Sequence, residues 1–376
     1  MRLHFELRDS ADPAIQAANP QICTGRKWNA SKAVDQAVER LKHQEIVGFT
    51  QSGRSGLGWA AAPKSWSKAT KKERKDLVIS EVAKMEEETY KITAVSQQQQ
   101  GRWTTWEAVT NRTITWADMW RTPQARLSFR IRATYDNLPS PRNLLTWFGT
   151  EEPCHLCSSP NPNLKHILSG CKTALSQGRY RWRHDKVLRK LAETLEARRQ
   201  QVNRENPPTS PKWIQFTRPG TTAWCCTGSE RSLLSLGGQW QLAADLSRQL
   251  KFPAEITMTS LRPDIMLWSA PAKAVIMVEL TVPWEEHMEA AYERKKDKYT
   301  ELAATCSQAG WRPFTFPVEV GCRGFTGTST QRLLKTLGVT GPNRKRALHD
   351  LAEEAEEGSF WLWLRRKDRA WGKEGS

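Results

Sequence analysis

Four side chains of metal-binding type, Cys154, Cys157, His166 and Cys171, lie in the middle of the sequence at the spacing C-x2-C-x8-H-x4-C. Structural zinc sites use four such ligands in a tetrahedron, and a C-x2-C turn supplies two thiolates from one bend. We therefore predict a zinc knuckle, with His155 as a competing fourth ligand. The alternative is one buried histidine among unrelated thiols. Because four protein ligands leave no open position, we expect a structural zinc rather than a catalytic one.

Two carboxylates lie in neighbouring strand-like runs further along the chain. Asp264 begins the apolar part of RPDIMLWS, and Glu279 lies inside KAVIMVELTV. The period-two alternation of a strand puts Glu279 on the same face as Val275 and Met277. A carboxylate in such surroundings is unfavourable unless it is paired or binds a metal. Two carboxylates at neighbouring strand ends can hold Mg²⁺, which polarises a phosphate and lowers the pKa of an attacking water.

A helix predicted over residues 284–309 offers a cation for this acidic pair. Its apolar face carries Met288, Tyr292, Lys295, Tyr299, Leu302 and Cys306. If that face packs on the sheet, the Lys295 ammonium can approach Glu279. The alternative is a purely structural salt bridge between the two. Asp245, in a helix predicted over 238–250, is a further candidate acid.

The net charge of the chain is strongly positive. It has 376 residues, with 57 Lys and Arg against 40 Asp and Glu, and a formal charge of +17. Such an excess favours polyanionic partners, either nucleic acid or an anionic membrane surface. We expect no membrane span, because no apolar run is long enough, and no secretory signal at the charged start. Cysteines that cluster around one site, with the rest scattered, fit a reducing compartment.

A basic segment, GRYRWRHDKVLRKLAETLEARRQQ, follows the cysteine cluster and is predicted to be a helix. Cations that can bind phosphates alternate there with the rings of Tyr180 and Trp182, which can stack on bases. The predicted nucleic-acid contacts are Arg179, Arg181, Arg183, His184 and Lys186. The alternative is a solvated amphipathic helix whose leucines only pack on a neighbour.

The order of predicted elements indicates a multidomain α+β chain. A strand–strand–helix–strand order in the C-terminal half favours an α/β domain with a mixed sheet. The predicted regions are a helical part at 1–150, the zinc knuckle at 151–175, the basic helix with the α/β domain at 176–342, and a helical tail at 343–376.

Two groups of motifs carry a resemblance to a known family. CHLCSSPNPNLKHILSGC followed by GRYRWRHDKVL resembles the zinc-knuckle region of non-LTR retrotransposon polyproteins. RPDIMLWS, VIMVELTVPWEE and AYERKKDKY together resemble the restriction-like endonuclease of the site-specific members. The resemblance covers about residues 100–330, and the stretch before it is similar to the thumb and linker that follow the reverse transcriptase.

The resemblance implies a restriction-endonuclease-like fold and Mg²⁺-dependent nicking of target DNA, with the released 3′-OH priming reverse transcription. It places the family's R/K-P-D motif on Arg262, Pro263 and Asp264, its second acid on Glu279, its helix lysine on Lys295, its tyrosine on Tyr299, and its basic-His-acid motif on Arg183, His184 and Asp185. The wider PD-(D/E)xK superfamily has lysine two residues after the second acid, where this chain has Thr281.

The chain departs from a full polyprotein, because it contains no adjacent Asp-Asp pair and so lacks the usual polymerase metal site. It therefore resembles the C-terminal portion of such an element. The leading hypothesis is a DNA-nicking enzyme that binds DNA, and with it the element's RNA, in the nucleus. The competing hypothesis is a catalytically inactive remnant that binds DNA or RNA. A protein–protein adaptor that uses a tryptophan-rich surface has less support.

Overall fold

The fold comes from a computed structural model of the chain. It describes residues 2–17, 23–24, 28–51, 61–110, 112, 114–205, 232–246 and 249–371. The chain forms two compact units, Met1–Thr104 and Thr105–Ser376. The boundary between them lies inside the region 1–150, and the other predicted boundaries all lie inside the second unit. Among the described residues, none of the helices has the length and apolar character needed to cross a membrane.

The N-terminal unit is mainly a helical pair. Its elements are α1 (Arg2–Arg8), α2 (Pro13–Ala17), β1 (Cys23–Thr24), β2 (Trp28–Asn29), α3 (Ala30–His43), β3 (Gly48–Gln51), β4 (Ala61–Lys64), α4 (Lys71–Ser96) and α5 (Gln98–Gly101). Helix α3 begins at Asn29, whose side chain accepts a hydrogen bond from the Lys32 amide. Thr70 and Glu73 form a capping box at the start of α4. The two helices pack through a small apolar core.

A four-stranded mixed sheet lies at the centre of the described part of the C-terminal unit. Its strands are β5 (Gln241–Ala244), β6 (Ile265–Ser269), β7 (Ala274–Thr281) and β8 (Arg312–Glu319). They lie side by side in that order, with antiparallel pairing from β5 to β7 and parallel pairing between β7 and β8. Strand β7 is buried along almost its whole length, as expected from its apolar residues, among which Glu279 is the one charged side chain. The predicted α+β class and mixed sheet are confirmed.

Helices cover both faces of this sheet. The helices of the unit are α6 (Trp116–Arg121), α7 (Gln124–Thr134), α8 (Pro141–Phe148), α9 (Lys172–Ser176), α10 (Arg179–Glu205), α11 (Met288–Lys298), α12 (Thr300–Gln308), α13 (Thr328–Thr336) and α14 (Gly341–Leu364). Residues of α10, α13 and α14 share one apolar cluster with Ile276 and Val278 of β7. Leu302 and Cys306 of α12 share another with Val275 and Met277. The alternation along β7 therefore divides the core into two layers.

Two predicted helices are wrong in detail. The helix expected over 238–250 is instead strand β5, which pairs with β6. Trp240 is buried there, and its indole N–H donates to main-chain carbonyls, so pairing with a neighbouring strand outweighs the local helical pattern. The helix expected over 284–309 is divided into a short 3-10 turn, α11 and α12, with Tyr299 buried at the second junction.

Candidate metal centre and acidic site

The predicted knuckle residues come together in the structure. One ligand atom each from Cys154, Cys157, His166 and Cys171 lies within 4.8 Å of all the others. Across the part of the chain that is described, this is the one group of three or more His, Cys, Asp or Glu side chains placed closely enough to hold a metal ion. The side chain of His155 instead contacts Glu152 at 2.7 Å. Three thiolates and one imidazole are the donor set that zinc prefers, so the four residues can hold a zinc ion.

Local backbone geometry builds this cluster. The Ser158 amide donates to the Cys154 carbonyl, which closes the turn between the first two cysteines. The His166 amide donates to the Asn163 side chain at 2.9 Å, which fixes the start of the next turn. Burial lowers the pKa of His166, which favours the neutral imidazole that a metal needs. Burial also raises the pKa of the Cys171 thiol to about 11, so the thiolate form requires a cation at the centre.

Tyr180, in the first turn of α10, connects the cluster to that helix. Its hydroxyl accepts a hydrogen bond from the Cys171 amide at 3.0 Å. The same oxygen lies 3.1 and 3.0 Å from the carbonyls of His166 and Ile167, to which it can donate. The ring is largely buried, and this burial raises its pKa. A closed zinc site would therefore hold the beginning of α10 in a fixed position.

Two of the predicted nucleic-acid contacts on α10 are buried and correct the sequence interpretation. The Arg179 guanidinium donates to the carbonyls of Arg365 and Asp368 beyond the end of α14. Arg183 donates to the Ser359 hydroxyl at 2.8 Å. Each side chain is about 1% exposed, so neither can reach a phosphate without unpacking. They join α10 to the C-terminal segment instead, since a buried guanidinium needs partners for its donors.

The other three predicted contacts differ in exposure. The Arg181 side chain is 68% exposed and lies 3.9 Å from the Asp245 carboxylate. Lys186 lies over the Trp182 ring and is 3.4 Å from Glu357. His184 points towards the sheet. On this surface Arg181 is the predicted contact that solvent reaches most freely.

Asp264 and Glu279 lie at the same end of the β6–β7 pair, because Asp264 immediately precedes β6 and β6 runs antiparallel to β7. The Asp264 carboxylate accepts a hydrogen bond from the Leu280 amide at 2.7 Å. His184 Nε2 lies 3.4 Å from that carboxylate and 3.3 Å from the Leu280 carbonyl. Burial alone would lower the pKa of His184, but its hydrogen bonds to Asp185 and Asp264 outweigh this and raise the pKa to about 9. At neutral pH a protonated His184 imidazole therefore lies between the Asp264 carboxylate and the carbonyl of Leu280, the residue that follows Glu279.

Glu279 is surrounded by donors from the helical side of the sheet. Its Oε1 accepts hydrogen bonds from Lys295 at 2.5 Å and from Lys298 at 3.1 Å. Its Oε2 accepts one from the Tyr299 hydroxyl at 2.7 Å. Burial and this contact raise the pKa of Tyr299. The structure thus brings Lys295 and Tyr299 to Glu279, as the sequence predicts, and adds Lys298. That lysine is three residues after Lys295, a spacing that places both on one helical face.

Asp245 lies beside Asp264 at the edge of the sheet. Its amide donates to the Asp264 carbonyl at 2.8 Å, and its carboxylate accepts from the Leu250 amide at 2.8 Å. It therefore follows a strand rather than lying in a helix, yet it stays near the acidic pair.

Glu319 is an acid that the sequence interpretation does not identify. It pairs with Thr281 across β7 and β8, so the two side chains lie on the same face as Glu279. Ser329 donates to one Glu319 carboxylate oxygen. The other oxygen, and the Thr281 hydroxyl, are buried without a hydrogen-bond partner. Burial raises the pKa of Glu319 to about 7. A single acid at the end of a parallel strand gives no sequence signal that distinguishes it.

Comparison with known proteins does not assign the chain to a family. No protein-family model matches it, and no curated protein is similar to it.

Proposed function

We propose that the C-terminal unit is a metal-dependent endonuclease of the PD-(D/E)xK type that nicks DNA, in a chain derived from the C-terminal part of a non-LTR retrotransposon polyprotein. One observation carries this proposal. Asp264 and Glu279 lie at the same end of an antiparallel strand pair in a mixed sheet, and Lys295 contacts Glu279 from the helix that packs there. Two acids that can hold a metal ion and one lysine beside them are groups that can together support phosphodiester hydrolysis.

The donor atoms at this end of the sheet suit Mg²⁺. They are carboxylate oxygens and the Leu280 carbonyl, which are hard oxygen ligands. The Asp264 side chain is 16% exposed, so solvent reaches it. Asp264 and Glu279 would hold the ion, which supplies an activated water and polarises the phosphate. His184, Lys295 and Lys298 supply the balancing positive charge in the metal-free arrangement.

The surrounding residues have separate tasks in this proposal. The Tyr299 hydroxyl holds the Glu279 carboxylate in one orientation. The Lys298 side chain, 40% exposed, is more open to solvent than that of Lys295, at 22%, so Lys298 suits contact with a DNA phosphate. Arg181 extends the positive surface from α10. The zinc cluster performs no chemistry and fixes α10, which carries His184 to the acids.

The wider biology belongs to the same proposal. The nick would leave a 3′-OH that primes reverse transcription by a polymerase that this chain does not itself contain. The partners would be target DNA and the element's RNA, and the protein would act in the nucleus. The positive charge of the chain supports a polyanionic partner.

A plasmid assay tests the proposal. Supercoiled DNA with Mg²⁺ should become open circles, and EDTA should prevent this. Asp264→Asn keeps the size of the side chain and its acceptor for the Leu280 amide, so it should bind DNA normally and lose nicking by at least about a hundredfold. Asp297→Asn, on the exposed side of α11, is the matched control and should nick like the unaltered protein. Equal nicking by the Asp264 variant would rule out the assignment.

A second candidate function is nucleic-acid binding without catalysis. The observation in its favour is that Glu279 already accepts hydrogen bonds from two lysines and a tyrosine, as a structural ion pair would. In that case Asp264→Ala should lower the unfolding temperature, while salt-sensitive DNA binding persists and no Mg²⁺-dependent cleavage occurs. Measuring nicking and unfolding on the same samples separates the two functions.

A further inference from the structure

We propose that Trp116 and Trp120, here called the tryptophan pair, form a stacking surface for a single strand of nucleic acid, apart from the acidic site. Their exposed fractions are 76% and 84%, whereas Trp240 and Trp311 of the same unit are buried. Two large aromatic side chains kept in water are unfavourable unless a partner covers them, and adjacent exposed rings mark interaction surfaces.

The exposure follows from how α6 is anchored. Thr115 and Asp118 form a capping box at its start. The Asp118 carboxylate also lies 3.8 Å from the His349 imidazole of α14, which turns that side of α6 towards the protein. Residues 116 and 120 are four apart, so they share the opposite side of the helix, a spacing that puts Cβ atoms about 6 Å from each other. The pair therefore faces solvent because its helix is fixed at the other side.

The charge next to the pair fits a polyanion. Arg121 is exposed and follows Trp120 directly. Aromatic rings flanked by cations are the surface that single-stranded nucleic acid recognises, because bases stack on the rings while phosphates bind the cations.

A single strand fits better than a duplex or a protein. The bases of a duplex are stacked on each other and cannot cover a ring, whereas unpaired bases can. A protein partner of comparable affinity needs a wide apolar patch, and α6 is a six-residue helix whose exposed apolar area is largely the two indoles. Stacking does not read the 2′-hydroxyl, so DNA and RNA strands share this chemistry.

Binding without Mg²⁺ isolates this surface from the acidic site. The probe is a fluorescent oligothymidylate, measured by anisotropy in EDTA at several salt concentrations. The double substitution Trp116→Ala/Trp120→Ala should weaken binding about a hundredfold, roughly tenfold for each ring. Trp116→Phe/Trp120→Phe should retain most of the affinity, which shows that rings are needed. Trp147→Ala, a partly exposed tryptophan on α8, is the control and should bind normally.

The salt dependence separates stacking from phosphate contacts. The tryptophan variants should keep the slope of log affinity against log salt, while Arg121→Ala should make it shallower. An oligouridylate should bind the unaltered protein with similar affinity, and the double alanine substitution should weaken that binding by the same factor. Unchanged binding by the double alanine variant, or an equal loss in the Trp147 variant, would overturn the proposal. So would a double variant that binds normally but loses self-association. Because no cleavage is measured, these outcomes stand even if the nuclease proposal fails.

Discussion

The cysteine–histidine cluster and the acidic site differ in how many segments of the chain build them. The four ligands of the cluster come from 18 consecutive residues, 154–171, and their spacing nearly determines their geometry. The acidic site takes its groups from the residue before β6 and from β7, α10 and α11, so it exists only when these elements pack. A site formed by one segment depends on its metal, whereas a site formed by several elements depends on the fold. The connection between them is α10, which begins against the cluster at Tyr180 and reaches the acids at His184.

The largest expected effect is removal of zinc. Freshly reduced protein should contain about one zinc per chain, and a chelator should lower the unfolding free energy of the C-terminal unit by about 4 kcal/mol or more, since the metal binds only the folded site. Metal analysis and thermal unfolding with and without chelator measure this. His155→Ala is the control and should keep the metal and the unfolding temperature, because His155 contacts Glu152. A zinc content near zero would contradict the assignment of the cluster.

Glu279→Gln should have the next largest effect. It leaves Lys295 and Lys298 beside a buried amide and should destabilise the protein by about 3 kcal/mol. The matched control is Glu293→Gln, which removes the exposed ion pair between Glu293 and Lys296 on α11, the helix that carries Lys295. It should lower the unfolding free energy by less than about 0.5 kcal/mol. Urea unfolding of both variants provides the comparison. Equal effects would show that the Glu279 cluster is as solvated as the surface pair.

Glu319 should give a smaller, pH-dependent effect. Its pKa is raised to about 7 in the folded protein from about 4.5, so between these values the unfolded chain binds fewer protons. Stability therefore falls by about 2.5 kcal/mol as pH rises from 4.5 to 7, and the decline levels off above about pH 8. Glu319→Gln should remove this part of the decline, which unfolding measured at several pH values would detect. An identical pH dependence in the variant would show that Glu319 ionises normally.

The smallest expected effect tests the connection through α10. If the zinc cluster fixes α10, then chelation should accelerate hydrogen exchange of the Leu280 amide, which donates to Asp264 beside His184. Amides of β6 should accelerate only by the factor that the loss of global stability gives, and the Leu280 amide should accelerate by more than that factor. If the Leu280 amide accelerates by no more than the β6 amides, chelation acts only through global stability and the zinc cluster does not position α10 against the acids.

The residues that could be predicted from sequence are those whose signal is local. The ligand spacing identified the cluster, and the apolar face of α11 and α12 brought Lys295 and Tyr299 to Glu279. The strand at β5 was missed because its stability comes from pairing with β6, which a local helical pattern does not reveal. Arg179 and Arg183 were interpreted as surface cations because composition does not show that α14 and its following segment cover them. Long side chains in basic helices carry this ambiguity whenever their partners are distant in sequence.

The chemistry of the DNA ends at the nick tests most directly whether the acidic site is a nuclease. With Mg²⁺ the protein should open supercoiled DNA by single-strand cuts whose 3′ ends a DNA polymerase can extend without further processing. The Asp264→Asn variant should produce no extendable ends while it binds the DNA with unchanged affinity. Extendable ends in equal amount from the Asp264 variant, or their absence from the unaltered zinc-loaded protein, would contradict a nuclease at this site.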